Sequence, residues 1–381
     1  MKIAIVHDQL QEFGGAERVL VSLIRIFPEA DVFTSFYNPN SLGIHAPLFR
    51  NKRIHTSWAD KIPFLKKLYS PLRFITPLIW ESFDFSSYDL VISSSGSYMS
   101  KGIVTKPNTT HICYLHHPPR YLYNYETAIE WQKYRLIKIY GNLINHNLRI
   151  WDYFTSQRVG YFIANSEETK RRVEKFYRRN AVVIYPPVSV PEEFETKYSP
   201  DSSQYYLTIS RLARAKHVDI LIKAANKHKF RLKIVGIGRD EVYLKKIAGK
   251  TVEFLGSVSD KQLPELYRGA KAFLFASVDE EFGIAPVEAM GHGLPVIAFK
   301  SGGVPEIVKN DESGYLYNKL HEDALIEKIE LFEILPPDKI EELRIYARVT
   351  ALAFSEENFK RDLLKYISSL FPNSKFSNLN S

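Results

Sequence analysis

Two glutamates, Glu280 and Glu288, lie eight residues apart on either side of a glycine. They follow a short apolar run, Ala272–Phe275, and Pro286 favours the start of a helix near its own position. Gly283 permits a close approach of the backbone, so amides here could bind an anion while the carboxylates accept hydrogen bonds from hydroxyl groups. A solvated acidic turn, with a glutamate favoured by the helix dipole, would have the same residues. The pattern alone leaves both interpretations open.

A second candidate pairs Arg211 with Lys216, directly after the apolar run Tyr205–Ile209. An arginine at a strand end and a lysine five residues later can converge on one diphosphate, because the guanidinium binds as a fork and the ammonium as a point charge. Taken alone, the pair is better explained as surface cations that cap a helix. The chain has no Asp-x-Asp triplet of the kind that often holds a diphosphate through a metal, and this favours protein cations.

Glycine-containing turns after other predicted strands could bring backbone amides close to a phosphate or a sugar. They are Gly14 and Gly15 in the first strand–helix turn, Gly236 after Leu232–Val235, and the loop Gly256–Val258. Tight turns need glycine in any case, so none of them identifies a ligand by itself.

His116 follows the apolar run His111–Leu115 and could hydrogen-bond a sugar or orient an acceptor. Cys113, His116 and His117 would be the natural members of a metal site. Three ligands crowded on one strand would face opposite ways, however, and no further cluster of cysteine and histidine exists. We therefore predict no metal site, and a structural role for His117.

Strands must position these residues, and short apolar runs without polar alternation recur along the chain. Such runs are typical of parallel strands covered by helices on both faces. Helical patterns separate them, which predicts an α/β fold with two Rossmann-like, doubly wound domains that face a cleft and bind ligands beyond the carboxyl ends of their strands. The predicted strands are Ile3–Val6, Asp31–Thr34, Leu90–Ser93, His111–Leu115, Tyr161–Ala164, Val182–Tyr185, Tyr205–Ile209, Leu232–Val235, Val252–Leu255, Ala272–Phe275 and Val296–Phe299.

The prolines and polar residues of Pro186–Ser203 mark the boundary between the two strand–helix series. We expect an N-terminal domain over residues 1–190 and a C-terminal domain over residues 191–355. The apolar spacing of residues 356–372 predicts a helix, and the polar residues 373–381 predict a flexible tail. Tyr134–Tyr153 is a further long helical candidate.

Charge is distributed unevenly along the 381 residues. The formal net charge is +8, and residues 1–200 hold 25 basic against 18 acidic side chains. The segment Arg50–Arg73 interleaves basic with aromatic and aliphatic residues, which suits an anionic membrane surface better than nucleic acid, since no nucleic-acid-binding motif accompanies it. A solvated face on packed helices is the alternative.

The predicted location is the cytoplasm, at most on the surface of a membrane. The chain has one cysteine, its first apolar run is too short for a signal peptide, and no apolar window reaches membrane-spanning length.

The segment Asp279–Met290 resembles the Glu-x7-Glu signature of retaining nucleotide-sugar glycosyltransferases of family four, which have the GT-B fold. Gly293–Ile297 and Gly302–Val308 match the stretches that follow in similar enzymes, although Glu281 stands where glycine is usual. Ser210–Lys216 is similar to the family's Gly-Arg-Leu-x-x-x-Lys stretch, with serine in place of the first glycine. His116, Arg120 and Tyr121 match its His-x-Pro-x-Arg-Tyr stretch, and the resemblance covers nearly the whole chain.

The resemblance implies a role for each matched residue. Glu288 would hold the ribose and Glu280 would bind the transferred sugar. His116 would help to position that sugar. The diphosphate would lie against Arg211, Lys216 and the amides of Gly15, Phe282, Gly283 and Ile284. Gly14, Gly236 and Val258 would contact other parts of the donor, and Arg120 and Tyr121 would contact the acceptor.

The implied reaction moves a hexose to a glycan or lipid-linked acceptor, with retention of configuration and without metal or cofactor. The N-terminal domain would hold the acceptor, the C-terminal domain the nucleotide-sugar, and the last helix would return to the N-terminal domain. Mannose from GDP-mannose is the first expectation, and glucose or N-acetylglucosamine from UDP stay open. A nucleotide-sugar epimerase or a phosphorylase of the same fold, and a non-enzymatic binder of anionic surfaces, are the alternatives.

Overall fold

The computed structural model describes residues 1–127, 134–192, 204–259 and 261–371. In this part of the chain the strands form two parallel sheets, one of seven and one of six strands. The chain divides into two compact units. The first consists of the described residues of Met1–Tyr125, Glu130–Pro187 and Phe359–Ser381, and the second consists of those of Glu126–Ile129 and Val188–Asn358. The predicted fold class, α/β with two doubly wound domains, is confirmed.

The sheet of the first unit has the strand order β3-β2-β1-β4-β5-β6-β7. The order reverses between β1 and β4, and such a reversal leaves a crevice at the carboxyl ends of the two strands. The strands are β1 (Ile3–His7), β2 (Asp31–Thr34), β3 (Ile54–Thr56), β4 (Leu90–Ser95), β5 (Thr110–Leu115), β6 (Tyr161–Ala164) and β7 (Ala181–Val183).

The sheet of the second unit has the order β10-β9-β8-β11-β12-β13 and reverses between β8 and β11. Its central strands are buried, as parallel strands between two helical layers require. The strands are β8 (Tyr205–Ile209), β9 (Leu232–Val235), β10 (Val252–Gly256), β11 (Ala270–Phe275), β12 (Val296–Phe299) and β13 (Gly314–Tyr317).

Helices connect the strands, and the last helix, Glu356–Leu370, ends two residues before the end of the segment 356–372 in which a helix was expected. Phe359, Leu363, Leu364 and Ile367 of that helix are buried in the apolar core of the first unit. The helices are α1 (Gly15–Ile26), α2 (Leu65–Leu68), α3 (Thr76–Trp80), α4 (Arg135–Arg158), α5 (Glu167–Tyr177), α6 (Val218–His228), α7 (Glu241–Ile247), α8 (Leu263–Arg268), α9 (Ile284–Gly291), α10 (Val304–Ile307), α11 (Glu322–Glu333), α12 (Pro337–Leu352) and α13 (Glu356–Leu370).

Candidate functional site

Glu280 lies in the loop that follows β11, where the second sheet reverses its strand order. Its carboxylate pairs with the Lys216 ammonium at 2.5 Å between Oε2 and Nζ, and it accepts a hydrogen bond from the Ser277 hydroxyl. The Lys216 side chain is 25% exposed and that of Glu280 15%, while Ser277 is fully buried. A carboxylate and an ammonium therefore lie side by side, partly open to solvent, at the edge where such sheets bind ligands.

The segment after β8 carries the two predicted cations. Arg211 follows the strand almost directly and its side chain is exposed. Lys216 ends the short helical turn Arg214–Lys216, whose Ala215 carbonyl accepts a hydrogen bond from the Val278 amide at 3.0 Å. This backbone contact fixes the turn to the loop after β11, and it brings Lys216 to Glu280.

The first turn of α9 borders the same loop. The helix begins at Ile284, two residues before the expected start at Pro286, because Gly283 adopts the left-handed conformation (φ 105°) that precedes it. The Phe282 side chain is buried edge-on against a neighbouring aromatic ring, so only its backbone can contact a ligand. Glu288 is half-buried in the second turn. Unpaired amides at the start of a helix attract anionic groups, as the sequence predicts for this segment.

Residues that follow β12 contact the Glu280 loop, and the sequence analysis assigned no role to them. The Gly303 amide donates to the Glu280 carbonyl at 2.7 Å, and the Asp279 amide donates to the Ser301 hydroxyl at 2.9 Å. A Cβ on Gly302 would lie 2.0 Å from the Glu280 carbonyl oxygen, so only glycine fits there. The glycine pair was visible in the sequence as part of the family stretch, whereas nothing marked Ser301.

Gly236 and Gly256 lie at the ends of adjacent strands, β9 and β10. The Gly236 amide donates to the Gly256 carbonyl at 2.8 Å, and a Cβ on Gly236 would lie 2.0 Å from the carbonyl oxygen of Ser210. Val258 follows two residues beyond β10 and is half-buried. Close contact between backbone segments explains the glycine at 236 without any ligand, so the donor contact of Gly236 and Val258 stays a prediction.

In the first unit, His116 directly follows β5 and is 8% exposed. Its Nε2 lies 2.8 Å from the Ser94 hydroxyl, and its ring meets the Tyr114 ring edge-on. Gly14 precedes α1, and its amide donates to the Glu17 carboxylate at 2.8 Å, while Gly15 is the first residue of the helix. The Gly14 amide thus has a partner within the unit.

Arg120 and Tyr121 lie in a short helical turn, Arg120–Leu122, after the His116 strand end. The Tyr121 hydroxyl donates to the Ser97 carbonyl at 3.1 Å, and the Arg73 guanidinium lies 4.6 Å from the centre of its ring. Burial raises the pKa of Tyr121 well above its ordinary value. The tyrosine is therefore a neutral donor with a partner inside the unit, and its contact with an acceptor stays a prediction.

Cys113 points into the core of the first unit. Burial raises the pKa of its thiol to about 12, so the thiolate that metals bind is strongly disfavoured. Among the described residues, no group of three or more Cys, His, Asp or Glu side chains is placed to hold a metal ion.

The segment Arg50–Arg73 carries exposed cations and exposed apolar side chains. Some of its charge is paired internally, because Arg53 contacts Asp31 and Lys66 contacts Asp60, each at 2.6 Å. The Tyr140 hydroxyl of α4 donates to the Pro71 carbonyl at 2.7 Å, which joins the long helix to this segment. We call the combined patch the apolar–basic surface; its exposed members are Lys61, Phe64, Lys67, Leu68, Leu136, Lys138 and Leu143.

No helix within the described part of the chain is both long enough and apolar enough to cross a bilayer.

Comparison with known proteins places the sequence in two adjoining family descriptions. Residues 13–191 match the family described as Glycosyltransferase Family 4. Residues 189–350 match the family described as Glycosyl transferases group 1. The two matches together cover residues 13–350, which include every strand from β2 to β13 and the whole Glu280 loop.

Two curated relatives show what similar proteins do. The UDP-N-acetylglucosamine–peptide N-acetylglucosaminyltransferase GtfA subunit of Streptococcus pneumoniae is 23% identical over 342 residues, which are 84% of this chain and 64% of that protein. A GDP-mannose-dependent alpha-mannosyltransferase of Mycobacterium tuberculosis is 34% identical over 145 residues, which are 38% of each protein. Both alignments cover less than two thirds of the relative.

Among solved structures, that of Anabaena HepE in complex with UDP and glucose has a TM-score of 0.69 with this chain. The two sequences are 20% identical, and the likeness covers 97% of this chain and 100% of the other. At this identity the likeness concerns the fold alone, which is the GT-B fold. Both sheets and both family matches agree: the chain belongs to the GT-B-fold glycosyltransferases, with residues 13–191 matching Glycosyltransferase Family 4 and residues 189–350 matching Glycosyl transferases group 1.

Proposed function

We propose that this chain transfers a sugar from a nucleoside-diphosphate sugar to a glycan or lipid-linked acceptor. The observation that carries the proposal is the pair of Lys216 and Glu280 beside the start of α9, at the strand reversal of the second sheet. The ammonium and the helix amides suit a diphosphate, and the carboxylate suits sugar hydroxyls. One small site therefore matches both halves of such a donor.

The proposed roles follow from the charge that develops in the reaction. The bond between the anomeric carbon and the diphosphate oxygen breaks, and negative charge grows on the leaving diphosphate. The acceptor oxygen bonds to the anomeric carbon, and its hydroxyl proton passes to the leaving diphosphate. Arg211, Lys216 and the amides at Gly283 and Ile284 would stabilise that charge. Glu288 would hold the ribose, and these cations would make a metal unnecessary.

The identity of the sugar is a finer part of the proposal. Mannose from GDP-mannose, transferred with retention of configuration, is supported by the 34% identity to the mycobacterial enzyme, which concerns 145 residues. The streptococcal relative is named for UDP-N-acetylglucosamine, and the Anabaena structure holds UDP and glucose. UDP-sugars are therefore the competing donors.

A donor screen tests the proposal directly. We expect the purified chain to release nucleoside diphosphate slowly from one nucleotide-sugar of a panel that includes GDP-mannose, UDP-glucose and UDP-N-acetylglucosamine. Released nucleotide is measured by chromatography, with Arg211→Ala as the impaired control. Release from none of the panel, with or without oligosaccharide or polyprenyl-linked acceptors, would contradict the proposed function. Recovery of epimerised donor instead would favour the epimerase.

We also propose that the apolar–basic surface binds anionic membranes. Phe64 is 74% and Leu136 82% exposed, and Lys61, Lys67 and Lys138 lie among such residues with exposed side chains. Apolar groups at the interface and cations facing anionic headgroups would both favour binding, at ~1 kcal/mol per basic residue near the surface. A lipid-linked acceptor would then be met at the membrane.

Vesicle binding tests this second proposal. The chain should sediment with vesicles that contain phosphatidylglycerol at low salt and be released at high salt. The variant Lys61→Glu/Lys67→Glu should bind at least about tenfold more weakly, because two attractive charges become repulsive. Lys339→Glu, a charge reversal on α12, serves as the matched control and should bind like the unaltered chain. Equal binding to neutral vesicles at high salt would refute the electrostatic form of the idea.

A further inference from the structure

A cavity of about 370 Å³ lies at the amino ends of β8, β9 and β10 in the second unit. The Lys216–Glu280 pair lies beyond the carboxyl ends of β8 and β11 in the same sheet. The five residues of β8 separate the two edges of the sheet by about 16 Å. The cavity is therefore a separate feature from the proposed donor site, and the proposed function gives it no role.

Among the described residues, three cations and one carboxylate line this cavity. The cations are Arg231, Lys233 and Lys250, and the carboxylate is that of Glu253. Three positive charges and one negative charge leave a formal charge of +2. Cations that lie close together without enough counter-charge repel one another, and a bound anion removes that repulsion. An anion with two negative charges would balance the cavity.

The pairing of these cations with acidic side chains is weak. The Glu253 carboxylate lies 3.9 Å from the Lys233 ammonium and its side chain is 60% exposed, and such solvated pairs contribute little. The Arg231 guanidinium donates to the side-chain oxygen of Gln204, an uncharged group, at 3.4 Å. In the part of the chain that the structure describes, neither Arg231 nor Lys250 has an acidic partner. Most of the positive charge of the cavity is therefore available to a ligand.

The two lysines hold defined positions at the cavity. Lys233 Nζ lies 4.1 Å from the centre of the Tyr205 ring, and only 28% of the lysine side chain is exposed. Lys250 follows Gly249, whose amide donates to the Asn226 side chain at 2.8 Å and so fixes the backbone before β10. Groups that are already ordered lose less freedom when they bind a ligand.

The hydroxyl groups at the cavity already have partners. The Tyr205 hydroxyl donates to the Leu266 carbonyl at 2.9 Å, and the Thr251 hydroxyl donates to the Ala225 carbonyl at 3.3 Å. The cavity therefore offers a ligand positive charge rather than hydroxyl donors.

We propose that this cavity binds a phosphate dianion, either free or as the phosphate group of a small organic molecule. The Arg231 guanidinium binds the phosphate as a fork, and the Lys233 and Lys250 ammonium groups bind it as point charges. Small-molecule sites have volumes of roughly 300–1,000 Å³, so the cavity has room for an organic group beside the phosphate. The site does not depend on the proposed sugar transfer.

Isothermal titration calorimetry of the full chain tests the proposal, with inorganic phosphate and glycerol 3-phosphate as the probes. The titrations are made at about pH 8, where a phosphate group carries close to two negative charges. The variant Arg211→Ala/Lys216→Met is the background for every titration, because it removes the two cations assigned to the donor diphosphate. We expect one bound phosphate per chain, with a Kd that rises with salt concentration. Binding of neither probe would overturn the proposal.

Two substitutions with opposite expected effects locate the bound phosphate. Lys233→Gln/Lys250→Gln removes two of the three cations and should raise the Kd at least about tenfold. Glu253→Gln removes the carboxylate and should lower the Kd about threefold, because a repulsive charge is lost. A gain in affinity of this kind cannot come from a damaged fold.

The matched control is Lys223→Gln/Lys339→Gln, which removes two lysine charges from the same unit outside the cavity. Its Kd should equal that of the background variant. An equal loss of affinity in the control and cavity variants would show that the probes respond to net charge alone, and it would overturn the site. A Kd that does not fall in Glu253→Gln would also overturn it.

The two probes distinguish the sources of the phosphate, since their charges are nearly the same. Tighter binding of glycerol 3-phosphate would identify a small organic phosphate as the ligand, and equal or weaker binding would identify phosphate itself. Phosphate binding in a chain that releases nucleotide from no sugar donor would support this site and count against the proposed function.

Discussion

Replacement of Lys216 by methionine is expected to lower kcat/KM for the nucleotide-sugar by about 10²–10³, the size of effect seen when one preorganised charge-stabilising group is lost. In the proposed reaction the Lys216 ammonium balances the charge on the leaving diphosphate. Methionine keeps the length of the side chain without the charge. The substitution has a second consequence at this site. Glu280, 2.5 Å away, loses its cationic partner and would repel the diphosphate.

A double substitution separates these two effects. Glu280→Gln alone should impair transfer, because a neutral amide is a weaker acceptor for sugar hydroxyls. In Lys216→Met/Glu280→Gln the repulsion is absent, so the donor KM should be lower than in Lys216→Met, although kcat stays low. The losses should therefore be less than additive, as expected for groups in contact. Strict additivity would show that the two side chains act on the donor independently.

The control for this series is Lys223→Met on α6. Lys223 pairs with Asp219 at 2.9 Å, lies in the same unit and is 42% exposed, so it matches Lys216 in charge and in having an acidic partner. Steady-state rates of the Lys223 variant should equal those of the unaltered chain. Full activity of Lys216→Met, with the fold verified by circular dichroism, would remove Lys216 from the proposed site.

The sequence was sufficient to predict the fold class because parallel strands buried on both faces leave continuous apolar runs. Asp31–Thr34, Leu232–Val235 and Val296–Phe299 were predicted at the observed bounds. The edge strands β3 and β13 were missed. β3 has only three residues and includes an exposed histidine, and β13 begins with Gly314, a residue type that is depleted in strands.

For the candidate site, sequence spacing indicated which strand ends carry the candidate residues but not how their side chains pair. The contact between Lys216 and Glu280 joins residues far apart in the chain, and it depends on β8 and β11 being neighbours. Ser277 has no motif that would mark it.

Removal of the Lys101 charge is expected to destabilise the first unit by about 3–5 kcal/mol, because the substitution leaves a buried carboxylate without its partner. Lys101 and Asp152 are both fully buried, with 2.7 Å between Nζ and Oδ1. The ammonium also donates to the Thr155 hydroxyl at 2.9 Å and lies 4.8 Å from the centre of the Tyr177 ring. Lys101→Met should therefore weaken the attachment of α4, which carries part of the apolar–basic surface.

Tryptophan fluorescence during urea unfolding measures this change in the first unit selectively. Three of the four tryptophans, Trp58, Trp80 and Trp151, lie in the described part of the first unit, so the signal reports mainly on the unit that contains the ion pair. The midpoint of the fluorescence transition should fall clearly for Lys101→Met. Far-ultraviolet circular dichroism reports the secondary structure of both units. It should show a second unfolding transition whose midpoint the substitution does not change.

The double variant Lys101→Met/Asp152→Asn distinguishes loss of an ion pair from loss of packing. Asp152 accepts a hydrogen bond from the Tyr123 hydroxyl at 2.8 Å, and asparagine can still accept it. With neither charge left in the core, most of the lost stability should return. Replacing a buried ion pair by uncharged groups of similar size often leaves the free energy of unfolding almost unchanged. A double variant as unstable as Lys101→Met would instead show that the ammonium's hydrogen bonds to α4, rather than the uncompensated Asp152 charge, account for the loss.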